Sequence, residues 1–280
     1  IANLSCGFDI LGLCIDTPYD IIKINKIDNK TVKIIIEDSE FSNISINPKL
    51  NTGGIPALRI IDDLNLDFGF EIILKKGIPL SGGLGSSAAT AVGVVKGINY
   101  LLDNIFDEKK MIYYALEGEK LSSNTAHADN IAPCLKGGLV LVKAINPPNL
   151  IQLAINNFYI AIVHPKVNIN TKYAREILPD KVNLSDAIEQ WRNVSGLTAG
   201  FINNDLDLIK NSMHDNIIEP FRCKLIPGYK QIKNIAINDG AIGCSISGSG
   251  PSIFSLCKNK DIGTQVLTSM EKVLNDLQID

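Results

Sequence analysis

Ser86 and Ser87 stand at the end of a glycine-rich stretch, PLSGGLGSSAATAV (residues 79–92), whose composition suits an anion. Glycines such as Gly82, Gly83 and Gly85 let the backbone take positive φ and approach a ligand with no Cβ in the way. The Ala-rich run that follows reads as the first turns of a helix. Its leading amides have no intrahelical partner, and the helix dipole makes that end positive. Together these features fit a phosphate group, and a serine hydroxyl there could ligate a magnesium ion bridging phosphates. A Gly-rich turn capping an ordinary helix has the same composition, and no Lys follows the last glycine as it would in a Walker A motif.

Further polar residues stand at suggestive spacings. Asn3, Gly7 and Asp9 fall in IANLSCGFD, a short polar stretch for which a structural turn is the ordinary reading. Glu117 and Glu119 close a helix expected over about 107–122, where the dipole disfavours negative charge. Glu117 reads as solvated, whereas an acid so placed near a phosphate loop has the character of a magnesium ligand. His127, Asp129 and Asn130 lie within four residues, and either of the last two suits a helix N-cap equally well. One His and one Asp are too few for a zinc cluster. Thr171 and Arg175 are four apart and share a helical face, and Arg222 follows in NIIEPFRCKLIPGY.

The elements that must position these residues are legible from periodicity. Residues 20–26 and 31–37 are β-branched and partly alternating, as strands are. Residues 47–62 read as a loop entering a helix. A strand over 69–75 then delivers the chain into the glycine loop, with a helix over about 85–102 beyond it, the order a phosphate cradle requires. AINPPNL (144–150) carries a proline pair and reads as a linker or wide loop, so domains of 1–150 and 151–280 are expected. The second half predicts a strand over 158–165, a polar helical stretch over about 183–213 and a helix over 228–238. It ends in a hairpin around ISGSGPS and a helix over about 261–277.

Bulk properties narrow the class. A chain of 280 residues, 45% hydrophobic and 20% charged, has room for a proper core in one or two domains. A net charge of −3 argues against a nucleic-acid or anionic-membrane surface, and no run of about 18 apolar residues predicts a membrane span. Six scattered cysteines without a CxxC pair point to a reduced, cytoplasmic protein. The chain opens at Ile1 in mid-motif, so a short preceding segment is expected.

Three motifs stand in order: ANLSCGFDILG, PLSGGLGSSAA and ISGSGPS. This set resembles the GHMP kinase superfamily across nearly the whole chain. ANLxxGFDxLG, HADNIAPxLxGG, and TxxAR…LP with EPxRxxLIPG are similar to the homoserine kinases within it. Ser5 and Cys6 stand where a Gly-Pro pair is frequent in that family. The resemblance implies an α+β fold, with a ribosomal-S5-like N-terminal domain followed by a ferredoxin-like C-terminal domain. It implies ATP, with phosphates wrapped by Pro79, Leu80, Ser81, Gly82, Gly83, Leu84, Gly85, Ser86, Ser87 and Ala88, and magnesium held by Ser87 and Glu119. It further implies that L-homoserine is bound by Asp9, His127, Asp129, Thr171, Arg175 and Arg222, with Asn3 and Asn130 orienting its hydroxyl. An Asn at 130, where mevalonate-kinase-like relatives carry an Asp proposed as base, implies direct attack on the γ-phosphorus. The resemblance implies no nucleic-acid or membrane partner and leaves a homodimer open.

Overall fold

The computed structural model describes residues 1–37, 41, 44–121 and 128–280. In chain order the elements begin with β1 (Leu11–Leu13), β2 (Ile21–Ile27), β3 (Val32–Ile36), α1 (Gly54–Asp63) and β4 (Gly69–Lys75). They continue with α2 (Ser86–Leu101), α3 (Glu108–Glu119), α4 (Ala128–Lys136), β5 (Leu139–Ile145), β6 (Pro148–Leu153) and β7 (Tyr159–Val163). The remainder is α5 (Thr171–Glu176), α6 (Leu184–Asn203), α7 (Leu206–Ser212), α8 (Glu219–Arg222), α9 (Tyr229–Asn238), β8 (Gly243–Ile246), β9 (Ile253–Cys257) and α10 (Lys260–Asp276). Two compact units result. The first comprises 1–13, 81–84 and 152–280, and the second 14–80 and 85–151.

In the second unit β4 is the central strand of a three-stranded sheet, antiparallel to β2 and parallel to β3. Side chains alternate across a strand, so Phe70, Ile72 and Leu74 of β4 and Val32 and Ile34 of β3 all face one core. Helices cover that face. Ala88, Ala91, Val92, Val95 and Ile98 recur along α2 at helical spacing and are buried against it.

In the first unit β9 pairs antiparallel with both β7 and β8. Ile253 and Cys257 of β9 join Ile232 and Ala236 of α9 and Val266, Met270 and Leu274 of α10 in a separate core. The latter three sit four apart, one stripe of the helix.

Two expectations are corrected. The 144–150 stretch is not a wide loop, because β5 runs to Ile145 and β6 starts at Pro148, leaving only Asn146 and Pro147 between them. The helical stretch over 183–213 is two helices. Asn204 takes the left-handed conformation at φ 54, and Asp205 caps α7 by accepting from the Leu208 amide at 2.9 Å. Among the described residues no helix is long and apolar enough to cross a membrane.

All six cysteines are free thiols. Burial pushes Cys6, Cys134 and Cys244 up to about 12 and Cys257 up to about 11, from an ordinary 9.0. A raised thiol pKa keeps its proton in the folded chain while the unfolded thiol ionises, so its stabilising contribution is complete below pH 9 and is lost above it. Unfolding free energy measured in urea under reducing conditions should therefore fall as pH rises from 9 to 11. Cys244→Ala should show a shallower fall than the parent chain.

Candidate active site

The two flanks of the glycine loop are anchored by a buried ion pair within the second unit. Lys76 leaves β4 with its side chain 3% exposed, and it pairs with Asp20, 4% exposed, just before β2. The Lys76 ammonium also donates to the Ser86 carbonyl at 3.0 Å and to Thr90 Oγ1 at 2.7 Å. Asp20 Oδ1 accepts the Gly77 and Ile78 amides, each at 3.0 Å. Ser86 Oγ donates back to the Ile78 carbonyl at 3.1 Å. Strand end, loop entry and first turn of α2 are thus tied to one charge pair. Burial pushes the Lys76 ammonium down from its ordinary 10.5, and the attraction of Asp20 opposes that shift. Neither residue stood out in the sequence. The signal was the strand period, which turns Lys75 outward and Lys76 inward.

The expected phosphate-binding residues follow. Pro79 and Leu80 are half-buried and lead into Ser81, which is exposed at φ 54. Gly83 has φ 76, and a Cβ there would lie 2.1 Å from the Ser247 carbonyl. Gly85 has φ 72 and begins α2 with no side-chain cap on the helix. A Cβ at Gly85 would lie 2.8 Å from Asn130 Oδ1, so the Asn130 amide is packed against the start of α2. Ser87 Oγ donates to Glu119 Oε2 at 2.8 Å, and Glu119 is 5% exposed at the end of α3. A buried carboxylate beside a hydroxyl fits a hard divalent cation in its oxygen donors. Glu117 instead faces Lys120 at 2.5 Å on the surface side. Asp129 is buried in the first turn of α4 beside Asn130. His127 lies outside the described residues.

The first unit gathers the other expected residues around residues 2–9. Asn3, Leu4, Ser5 and Asp9 all have positive φ, an arrangement that non-glycine residues keep only where surrounding bonds impose it. Those bonds are present. Asn3 Oδ1 accepts the Asp9 amide at 3.2 Å, and Asn3 Nδ2 donates to the Gly248 carbonyl at 3.1 Å. Gly248 N donates to the Ala2 carbonyl at 3.2 Å, and Ser247 Oγ donates to the Gly83 carbonyl at 2.8 Å. From α6, Gln190 donates to the Cys6 carbonyl at 2.9 Å and to Asp215 Oδ1 at 3.0 Å. Asp215 accepts the Ile217, Ile218 and Glu219 amides that open α8. Burial pushes its carboxyl up from 3.8, opposed by those amides.

Charged side chains converge on the same turn. Arg175, at the end of α5, donates to both carboxylate oxygens of Asp9, with Nη1 3.4 Å from Oδ1. Arg222 is 4% exposed and donates to the Ala174 carbonyl at 3.2 Å and the Gly248 carbonyl at 2.8 Å. Thr171 is exposed, with Oγ1 3.5 Å from Ser249 Oγ. Each unit therefore brings together its own share of the expected residues: Asn3, Asp9, Thr171, Arg175 and Arg222 in one, and Ser87, Glu119, Asp129 and Asn130 in the other.

Comparison with known proteins agrees with these motifs. Residues 55–138 match the GHMP kinases N terminal domain, and residues 197–276 match the GHMP kinases C terminal family. The chain is 36% identical to a homoserine kinase of Chlorobium phaeobacteroides, over 99% of this chain and 90% of that protein. It is also 36% identical to one of Methanococcus vannielii, over 93% and 86% respectively. The crystal structure of homoserine kinase from Cytophaga hutchinsonii aligns with a TM-score of 0.95 at 44% identity, covering 100% of this chain and 89% of that one. A mevalonate kinase of L. major shares the fold at 16% identity, with a TM-score of 0.71 over 91% and 82% of the two chains.

The anchor makes a stability prediction. Removing one partner of a buried pair strands the other charge and costs about 3–5 kcal/mol, so Lys76→Met should lose that much in urea unfolding. Lys76→Met with Asp20→Leu should recover only part of it, because the Gly77 and Ile78 amides lose their acceptor.

Proposed function

The chain belongs to the homoserine kinases of the GHMP kinase superfamily, and from that membership we propose that it transfers the γ-phosphoryl group of ATP to L-homoserine. The product is O-phospho-L-homoserine, an intermediate of threonine biosynthesis. The fold is the α+β fold of the GHMP kinases, and the family implies ATP as phosphoryl donor.

The observation that carries the substrate reading is the pairing of Asp9 with Arg175. An amino acid brings an ammonium and a carboxylate on one carbon, the complement of a carboxylate and a guanidinium held side by side. We assign Asp9 and Asp129 to the ammonium and Arg175 and Arg222 to the α-carboxylate, with His127 and Thr171 completing the pocket. Mevalonate has no amine and would bring no ammonium to Asp9 and Asp129, which disfavours it.

The loop 79–88 is assigned to the ATP phosphates. Ser87 and Glu119 would hold a magnesium ion, which supplies neutralisation of phosphate charge. Phosphoryl transfer depends mainly on positioning and charge neutralisation, so a base is dispensable. The homoserine side-chain oxygen attacks the γ-phosphorus, and the bond from that phosphorus to the bridging oxygen breaks to release ADP. The hydroxyl proton passes to phosphate or solvent, while Asn3 and Asn130 orient the hydroxyl. We assign residues 1–150 to the nucleotide and 151–280 to the C-terminal domain of a cytoplasmic enzyme, with a homodimer as the assembly to test.

ADP release with ATP and magnesium should require L-homoserine and should not occur with mevalonate; the reverse preference would overturn the amino-acid assignment. Arg175→Ala removes one partner of a charge pair worth about 2–5 kcal/mol, so it should raise KM for homoserine at least about thirtyfold. Asn130→Asp should not accelerate turnover, and a large gain would count against direct attack.

A further inference from the structure

Phe8 stands between Gly7 and Asp9, and its half-buried ring faces two cations that come from separate elements of the first unit. The guanidinium carbon of Arg175, on α5, lies 5.2 Å from the ring centroid. That of Arg222, on α8, lies 5.0 Å from it. The backbone fixes the ring from both sides: the Gly7 carbonyl accepts the Ile10 and Leu11 amides at 3.0 and 2.9 Å, and the Asp9 amide is held by Asn3.

Two guanidinium groups brought to one place repel each other. Asp9 offsets part of that repulsion at Arg175, but a carboxylate so placed also competes with any anionic ligand. An aromatic face attracts a cation within about 6 Å through its quadrupole and engages no N–H donor. It can therefore help to hold an arginine without competing for the guanidinium donors, some of which Asp9 engages on Arg175 and the Ala174 and Gly248 carbonyls engage on Arg222.

We propose that Phe8 is a positioning residue for recognition of the substrate carboxylate, its ring setting the orientation of both Arg175 and Arg222. The inference rests on the assignment of an α-amino acid as substrate. It predicts that the ring contributes to carboxylate binding and little to the phosphoryl-transfer step.

The test compares the parent chain with Phe8→Leu, Phe8→Tyr, and a chain carrying pentafluorophenylalanine at position 8, which keeps the ring's shape and inverts its quadrupole. Phe8→Leu should raise KM for L-homoserine by about tenfold, with KM for ATP unchanged and kcat altered far less. Phe8→Tyr should restore the parent KM, and the fluorinated ring should behave like Leu. KM for the carboxamide of homoserine, which presents no anion, should not respond to any of these changes. A homoserine KM within about twofold of the parent for both Leu and the fluorinated ring would overturn the proposal, as would an equal rise for acid and amide. A parent chain that turns over neither acid nor amide would instead overturn the substrate assignment on which it rests.

Discussion

Lys76 and Asp20 form an ion pair that is almost wholly removed from water, and the approach to the glycine loop is built around it. Such a pair stabilises only when its leftover donors and acceptors are also satisfied. Here the ammonium reaches the Ser86 carbonyl and Thr90, and the carboxylate reaches two loop amides. The pair is therefore a geometric constraint as much as an energetic one. It fixes where β4 ends, how the loop leaves it and where α2 begins. The start of α2 carries the uncapped amides, and Ser87, its second residue, meets Glu119.

The first unit solves its positioning problem differently. Its turn over residues 2–9 is held in unfavourable backbone conformations by polar contacts from α6 and the turn over 247–252. Asn3 bonds the backbone at both ends of its amide, so the placement of Asp9 depends on it directly. Ionic groups are then added to a frame that neutral hydrogen bonds have already set.

Much of this was legible in the residues, and what was missed has physical causes. The strand expected over 69–75 forms residue for residue, and the helix after the loop to within one residue at each end, because burial of one face imposes a period. The proline pair at 147 and 148 suits a linker or a wide loop, although Pro148 can begin a strand whose first amide needs no partner. The break at Asn204 was written as Asn-Asn-Asp, a left-handed residue followed by a cap, inside a stretch whose polarity hid it. The sequence marks Asp9 and Arg175 as ligands of a small molecule but not as partners of each other, since no local pattern relates positions 166 residues apart. Asp20 and Phe8 go unmarked for the same reason, each acquiring its role from partners distant in sequence, whereas the strand period alone turns Lys76 inward.

The bond from Asn3 to Gly248 joins residues 245 positions apart, and that separation bears on the order of events during synthesis. The core of the second unit is complete in sequence by Leu150 and draws on sheet and helix contacts within that span. The turn at residues 2–9 has no such independence, because its strained backbone is held by groups far along the sequence, at Gln190 and Gly248. Loop closure over so long a span is entropically unfavourable until the distant contacts exist to reward it. Residues 2–9 thus reach their final form only after Gly248 is made, and a nascent chain stopped before residue 248 would lack the bond from Asn3 that holds that turn.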